Sequence, residues 1–137
     1  MGKRIYAVPK PIEENIKNEL YQYWKNKQSL EEWKRDIIEE SVSPDGQPRG
    51  NATSDTTQQK TIKILSTRKI IETERRIGFI EEAVKKLTPE EVEVFELIFR
   101  DRYSQKLAET QKFISKHTYY HTIDKTVYLT ALEFGYI

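Results

Sequence analysis

Residues 87–99 read LTPEEVEVFELIF, and this stretch decides how the rest of the chain is read. Thr88 carries a side-chain oxygen that can accept from the first free backbone N–H groups of a helix. Pro89 has the fixed φ that suits the first helical position, and Glu91 sits where a capping box needs a carboxylate. Glu90 and Glu91 also favour the positive end of a helix dipole. A helix over residues 89–100 follows, with Val92, Phe95, Leu97, Ile98 and Phe99 apolar.

Downstream the same logic repeats. A short helix is predicted from Ser104 to Lys112, then a turn at Phe113 and Ile114. Ser115 caps a last helix that runs to Phe134. Gly135 stands where a left-handed helix stop belongs. Residues 88–137 therefore read as helix, short helix, turn, longer helix, the layout of a helix-turn-helix unit.

Upstream, residues 12–40 form a helical pattern. Ile16, Leu20, Tyr23, Lys27, Leu30, Lys34 and Ile37 step alternately by four and three, which is a heptad seam interrupted by two lysines. Trp24, Trp33 and Ile38 widen its apolar face. A segment with two Pro and two Gly, Pro44 to Gly50, ends any helix. Ser54 or Asp55 can then cap a second long helix. Its seam is Ser66, Ile70, Thr73, Ile77, Ile80, Val84 and Leu87, with Ile62, Ile64 and Leu65 adding apolar surface. Gly78 lies inside it and marks either close packing or a local weakness. No segment alternates with the two-residue period of a strand.

The expected fold is all-α, with two long helical arms followed by the helix-turn-helix. The expected segments are an N-terminal arm (1–42), a Pro/Gly-rich linker (43–54), a second long helix (55–87) and the C-terminal unit (88–137). The seams read either as packing between the two arms or as an interface between copies of the chain, and a homo-oligomer is expected.

Composition narrows the function. Hydrophobic residues make up 36% and charged residues 33% of the 137 positions, a balance that suits long exposed helices. There is no cysteine, which excludes disulfides, thiolate zinc sites and a Cys nucleophile. No apolar run is long enough to span a membrane, and residues 1–11 lack the apolar core of a signal peptide, so a cytoplasmic protein without a membrane partner is expected. There is no Gly-rich phosphate loop and no pocketed carboxylate pair, so no enzyme and no cofactor are expected.

Net charge is only +1. The distribution is more telling. Residues 61–87 carry seven Lys/Arg against four Glu, 88–99 carry four Glu and no base, and 100–137 carry six Lys/Arg against four acids. Any contact with nucleic acid must be local. The physics of a helix-turn-helix puts the first turns of its last helix into the major groove of double-stranded DNA. Here those turns offer Lys116, His117, Tyr120 and His121 as base-reading side chains, while Tyr119, Ile123 and Val127 face the preceding helices. Arg100, Arg102, Lys106, Lys112, Ser115, Thr118 and Lys125 are the candidates for phosphate contacts.

His117, His121 and Asp124 share one helical face, so they read either as metal ligands or as the exposed face of a reading helix. No His-Glu-x-x-His arrangement accompanies them, and the second reading, with no metal, is preferred. The glutamates at 90, 91, 93 and 96 read as a solvated helix face or as a contact for a basic protein surface. Arg68, Lys69, Arg75 and Arg76 read as a solvated face or as an accessory DNA stripe.

The decapeptide GQPRGNATSD at 46–55, the Leu87-Thr88-Pro89-Glu90-Glu91 entry and Ile114-Ser115-Lys116-His117-Thr118-Tyr119-Tyr120 resemble, in content and order, phage late-gene transcription activators of the RinA and ArpU type. The resemblance covers nearly the whole chain. It implies a late-gene activator working in a bacterial host cell. It also implies a C-terminal fold similar to region 4 of sigma factors, with promoter DNA and RNA polymerase as partners. Lys116 and His117 stand where that family usually carries paired arginines, and Phe113 where its turn usually holds Gly or Asn. Small terminase subunits, which package DNA, combine the same parts and are the alternative. A scaffold that binds no DNA is the third reading.

Overall fold

The computed structural model describes residues 5–41 and 53–137. It contains five helices among them: α1 (Lys10–Ser41), α2 (Thr53–Lys85), α3 (Pro89–Phe99), α4 (Gln105–Lys112) and α5 (Lys116–Phe134). No strand occurs among the described residues, so the chain is all-α as the periodicity requires. Most of the Pro/Gly segment expected as a linker, and the side chains of Ser54, Asp55, Ile62, Leu65 and Ser66, lie outside the described residues.

Packing divides the chain into two compact units, residues 1–24 with 78–137 and residues 25–77. The division falls within the two long helices rather than at their ends.

In the first unit, α1 starts at a turn in which the Glu13 N–H donates to the Pro9 carbonyl at 2.9 Å. The seam of α1 is buried at Ile16, Leu20 and Tyr23. Tyr21 meets Phe99 with ring centroids 4.9 Å apart, and Trp24 meets Phe95 at 5.4 Å, so α1 covers one side of α3. Such offset aromatic pairs add to the area they bury. From α2 the buried residues are Ile80 and Ala83, and Leu87 is buried in the turn that follows it. The sequence pattern placed Val84, not Ala83, in this seam. Val84 is half-buried beside it, so the buried face is wider than a two-position seam.

α3 buries Val94, Phe95, Ile98 and Phe99, while Val92 and Leu97 are half-buried. α5 buries Tyr119, Ile123, Val127 and Ala131 along one face, together with Thr122, Thr126 and Thr130. The Thr126 hydroxyl donates to the Thr122 carbonyl at 2.6 Å, and the Thr130 hydroxyl to the Thr126 carbonyl at 2.7 Å. Each hydroxyl thus satisfies itself on its own helix and leaves a small methyl for the core. Phe79 against Phe134 at 5.0 Å and Lys86 to Glu133 at 2.9 Å fix the end of α2 to the end of α5. The Tyr23 phenol donates to Glu81 at 3.0 Å, and burial first, then that carboxylate, pushes its pKa well above the ordinary value.

In the second unit, the later part of α1 lies beside the earlier part of α2. Lys69 Nζ stands 4.0 Å over the Trp33 ring, and Lys34 pairs with Glu74. Thr73 and Ile77 are buried, whereas Lys27 and Lys34 are exposed, as seam interruptions should be. A Cβ built on Gly78 meets nothing within 4 Å, so this glycine does not serve close packing.

Candidate nucleic-acid interface

The site grows from three local capping events. At α3, Thr88 and Glu91 form the reciprocal capping box: the Glu91 N–H donates to Thr88 Oγ1 at 3.2 Å and the Thr88 N–H to Glu91 Oε1 at 2.9 Å. At α4, Ser104 Oγ accepts from the Leu107 N–H at 3.2 Å. At α5, Ser115 Oγ accepts from the Thr118 N–H at 3.1 Å and lies 2.9 Å from Thr118 Oγ1.

Between α4 and α5 the chain reverses through Phe113, whose φ of 57° and ψ of 32° lie in the left-handed region. The Ile114 N–H reaches back to the Ala108 carbonyl at 3.2 Å, closing the C-terminus of α4. Glycine or asparagine ordinarily fills this position. Here it is a phenylalanine that remains 90% exposed.

Three contacts set the rotation of α5 about its own axis. Ser115 caps its start. Four residues on, the Tyr119 hydroxyl donates to the Tyr103 carbonyl at 2.7 Å, in the turn before α4. Six residues further, Lys125 Nζ donates to Glu91 Oε1 at 2.8 Å. Glu91 therefore serves both the α3 cap and the α5 clamp. Burial alone raises the pKa of its carboxyl. The hydrogen bonds from Lys125 and from the Thr88 N–H outweigh burial and hold it below the ordinary value.

With that rotation fixed, the side chains expected to read bases come together on the outer face. Lys116, His117 and Tyr120 are exposed, and His121 is half-buried. The His117 and His121 rings stack with centroids 5.7 Å apart. His121 Nε2 lies 3.8 Å from Glu91 Oε2. Among the described residues no group of three His, Cys, Asp or Glu side chains is arranged to hold a metal.

The phosphate candidates separate into two sets. Lys106 and Lys112 are exposed on α4. The others are engaged within the fold. Arg100 binds Glu96 at 2.7 Å and Asp101 at 3.1 Å. Arg102, at a left-handed φ of 60°, lies 4.2 Å over the Tyr21 ring. Lys125 is held by Glu91, and Ser115 and Thr118 by the cap.

One element at this face was not expected. The N-terminal segment lies along α5, with the Tyr6 ring 5.3 Å from Tyr128 and 5.8 Å from His121. Ile5 and Tyr6, with Lys116, His117, Tyr120, His121 and Asp124, line an open cleft of about 510 Å³. Nothing in the local pattern of residues 5 and 6 announces such a contact, because it joins positions more than a hundred residues apart in the chain. The opposite flank is acidic: Glu90, Glu93 and Glu96 line a second groove with Arg100, Lys112 and Phe113.

The chain matches no family model, no curated protein and no solved structure. No helix among the described residues is long and apolar enough to cross a membrane.

Proposed function

We propose that this protein is a sequence-specific, double-stranded-DNA-binding transcriptional activator of phage late genes, reading its site with the first two turns of α5. The observation that carries the reading is the face of α5 formed by Lys116, His117, Tyr120 and His121. Polar side chains of base-reading type gather at the helix start, while the opposite face is buried and clamped. Only such a helix can enter a major groove without unpacking its own unit. α4, carrying exposed Lys106 and Lys112, crosses the backbone in this reading. Glu90, Glu93 and Glu96 of α3 offer a contact for a basic protein surface, such as one on RNA polymerase. The C-terminal unit then works as a sigma region 4-like module, and the resemblance in sequence to RinA-type activators supplies the biological role.

Packaging of DNA, as in a small terminase subunit, is the second reading. It is favoured by Ile64 and Ile71, which sit seven residues apart on α2 and are each 58% exposed. Two such isoleucines on one helix face suit contacts between copies of the chain.

The deciding experiment is an anisotropy titration against late-promoter fragments and scrambled DNA at two salt concentrations. Tight binding to one fragment supports the activator. Lys116→Ala with His117→Ala then weakens that fragment selectively, and Lys106→Ala weakens all fragments and lowers the salt slope by about 1. Equal, weak binding to all fragments by a ring of many subunits supports packaging. Binding that is unchanged in every variant refutes the role of α5.

A further inference from the structure

His117, His121, Asp124 and Tyr128 step along α5 by four, three and four, so they form one stripe on the helix. The first two belong to the face proposed to read bases. Tyr6 sits on that stripe. Its ring lies 5.8 Å from the His121 ring, inclined at 63°, and 5.3 Å from the Tyr128 ring. With Ile5 it closes one side of the cleft whose other walls include Lys116, His117 and Tyr120. All four proposed reading side chains therefore share one cleft with the N-terminal segment.

DNA and that segment need the same space. A major groove is about 12 Å wide, and a helix with its side chains already measures about 10–12 Å. No room remains for a second layer of chain over the face that meets the bases. His121 in particular cannot turn its ring to a base edge while the Tyr6 ring rests on it. The hold is also of a releasable kind. Between described residues no backbone hydrogen bond fastens positions 5–8, and helical bonding in α1 begins with the Glu13 N–H on the Pro9 carbonyl. The contacts of the Tyr6 ring are what seat the segment, and lifting it leaves α1 whole.

We propose that the N-terminal segment is an autoinhibitory strap, in which Tyr6 seated on His121 and Tyr128 covers part of the reading face of α5 and must leave when DNA binds. This inference rests on the DNA-binding reading given above. A strap of this kind divides the intrinsic affinity by the fraction of molecules in which it is lifted. One aromatic pair biases such an equilibrium by about 2- to 12-fold. The strap is thus a moderate brake on DNA binding rather than a block, and a tight site on DNA lifts it without help from another protein.

The test has two parts, both on the full chain. Anisotropy titrations on the promoter fragment compare wild type with Tyr6→Ala, Tyr6→Phe and Lys116→Ala at two salt concentrations. Tyr6→Ala removes the seat and should tighten binding by about 2- to 12-fold. Its salt slope should stay at the wild-type value, because no phosphate contact is gained or lost. Tyr6→Phe keeps the ring and should bind like wild type. The second part needs no variant. The chain has only two histidines, so the His121 ring protons are readily assigned by NMR. A nuclear Overhauser effect between the Tyr6 and His121 rings should be present in the free protein and vanish at saturating DNA. Equal or weaker binding by Tyr6→Ala overturns the strap, and so does a ring-to-ring effect that persists in the complex. Lys116→Ala separates the two levels. If it weakens binding while Tyr6→Ala leaves it unchanged, the strap alone fails. If no variant changes binding, the reading of α5 fails with it.

Discussion

Phe113→Gly should stabilise the protein, against the usual expectation for deleting a large aromatic side chain. The native residue sits at φ 57°, where an L side chain crowds its own carbonyl, at a cost of about 1–2 kcal/mol. Glycine is free of that strain but gives up more chain entropy on folding, about 0.5–1 kcal/mol. The ring itself contributes almost no burial, since 90% of the residue is exposed. The balance is a gain of about 0.5–1 kcal/mol, and at about 4 °C per kcal/mol for a chain of this size that is a rise in Tm of about 2–4 °C. Thermal unfolding followed by circular dichroism at 222 nm reads it directly, with urea unfolding as a check on ΔG. Phe113→Ala is the control, because it keeps the β-carbon and its strain while removing the ring, and should stay within about 0.5 kcal/mol of wild type. A loss of 1 kcal/mol or more in both variants would refute the reasoning, since the ring would then have to be packing against something in solution.

Three further outcomes are expected. Gly78→Ala, inside α2 with open space around the new methyl, should raise stability by about 1 kcal/mol in the same melts; destabilisation would mean that a neighbour approaches Gly78 in solution. Thr122→Val should be stabilising by about 1 kcal/mol, because the Thr122 hydroxyl is fully buried with no hydrogen-bond partner among the described residues, and valine has the same shape; a loss of stability would reveal an acceptor or a bound water at that site. Glu91→Gln should cost about 1–2 kcal/mol at neutral pH, by weakening the cap and the Lys125 clamp together. The Glu91 carboxyl is held below its ordinary value, so its contribution is complete above the unfolded pKa of about 4.3 and fades as pH falls through the folded value. Urea unfolding from pH 7 to pH 2.5 should therefore show wild type and variant converging in acid, and a constant gap would contradict the clamp.

Local chemistry made the C-terminal unit legible. Thr88, Pro89 and Glu91 announce a helix start within four residues, Ser115 announces another, and Gly135 with its φ of 78° announces a stop; all three act where the sequence puts them. The apolar face of α5 was legible for the same reason, since Tyr119, Ile123 and Val127 recur at helical spacing and all three are buried. What escaped depends on partners far away in the chain. Lys125 reads as a phosphate ligand from its place on α5, and only the fold brings it to Glu91, thirty-four residues earlier. Arg100 and Arg102 read the same way, and they turn to Glu96, Asp101 and the Tyr21 ring. Tyr6 carries no periodic signal at all. In α2, Ala83 is buried and Val84 half-buried, because the covered face is wider than a two-position seam and its centre is set by the helices packed on it.

The clamps on α5 also separate what holds the helix from what the helix presents. Ser115, Tyr119 and Lys125 are bound to Thr118, Tyr103 and Glu91 respectively, and none of these six is a proposed base reader. Lys116, His117 and Tyr120 are exposed between the clamps, and the ring contacts of His117 with His121 and of Tyr120 with Tyr119 stay within α5 itself. His121 is the exception, since it touches Tyr6 and lies near Glu91. Substitutions at 116, 117 and 120 should then change recognition at little cost to stability, whereas one at 121 should affect the seating of the N-terminal segment as well. A surface whose geometry is set from behind can change its exposed side chains while the helix keeps its orientation.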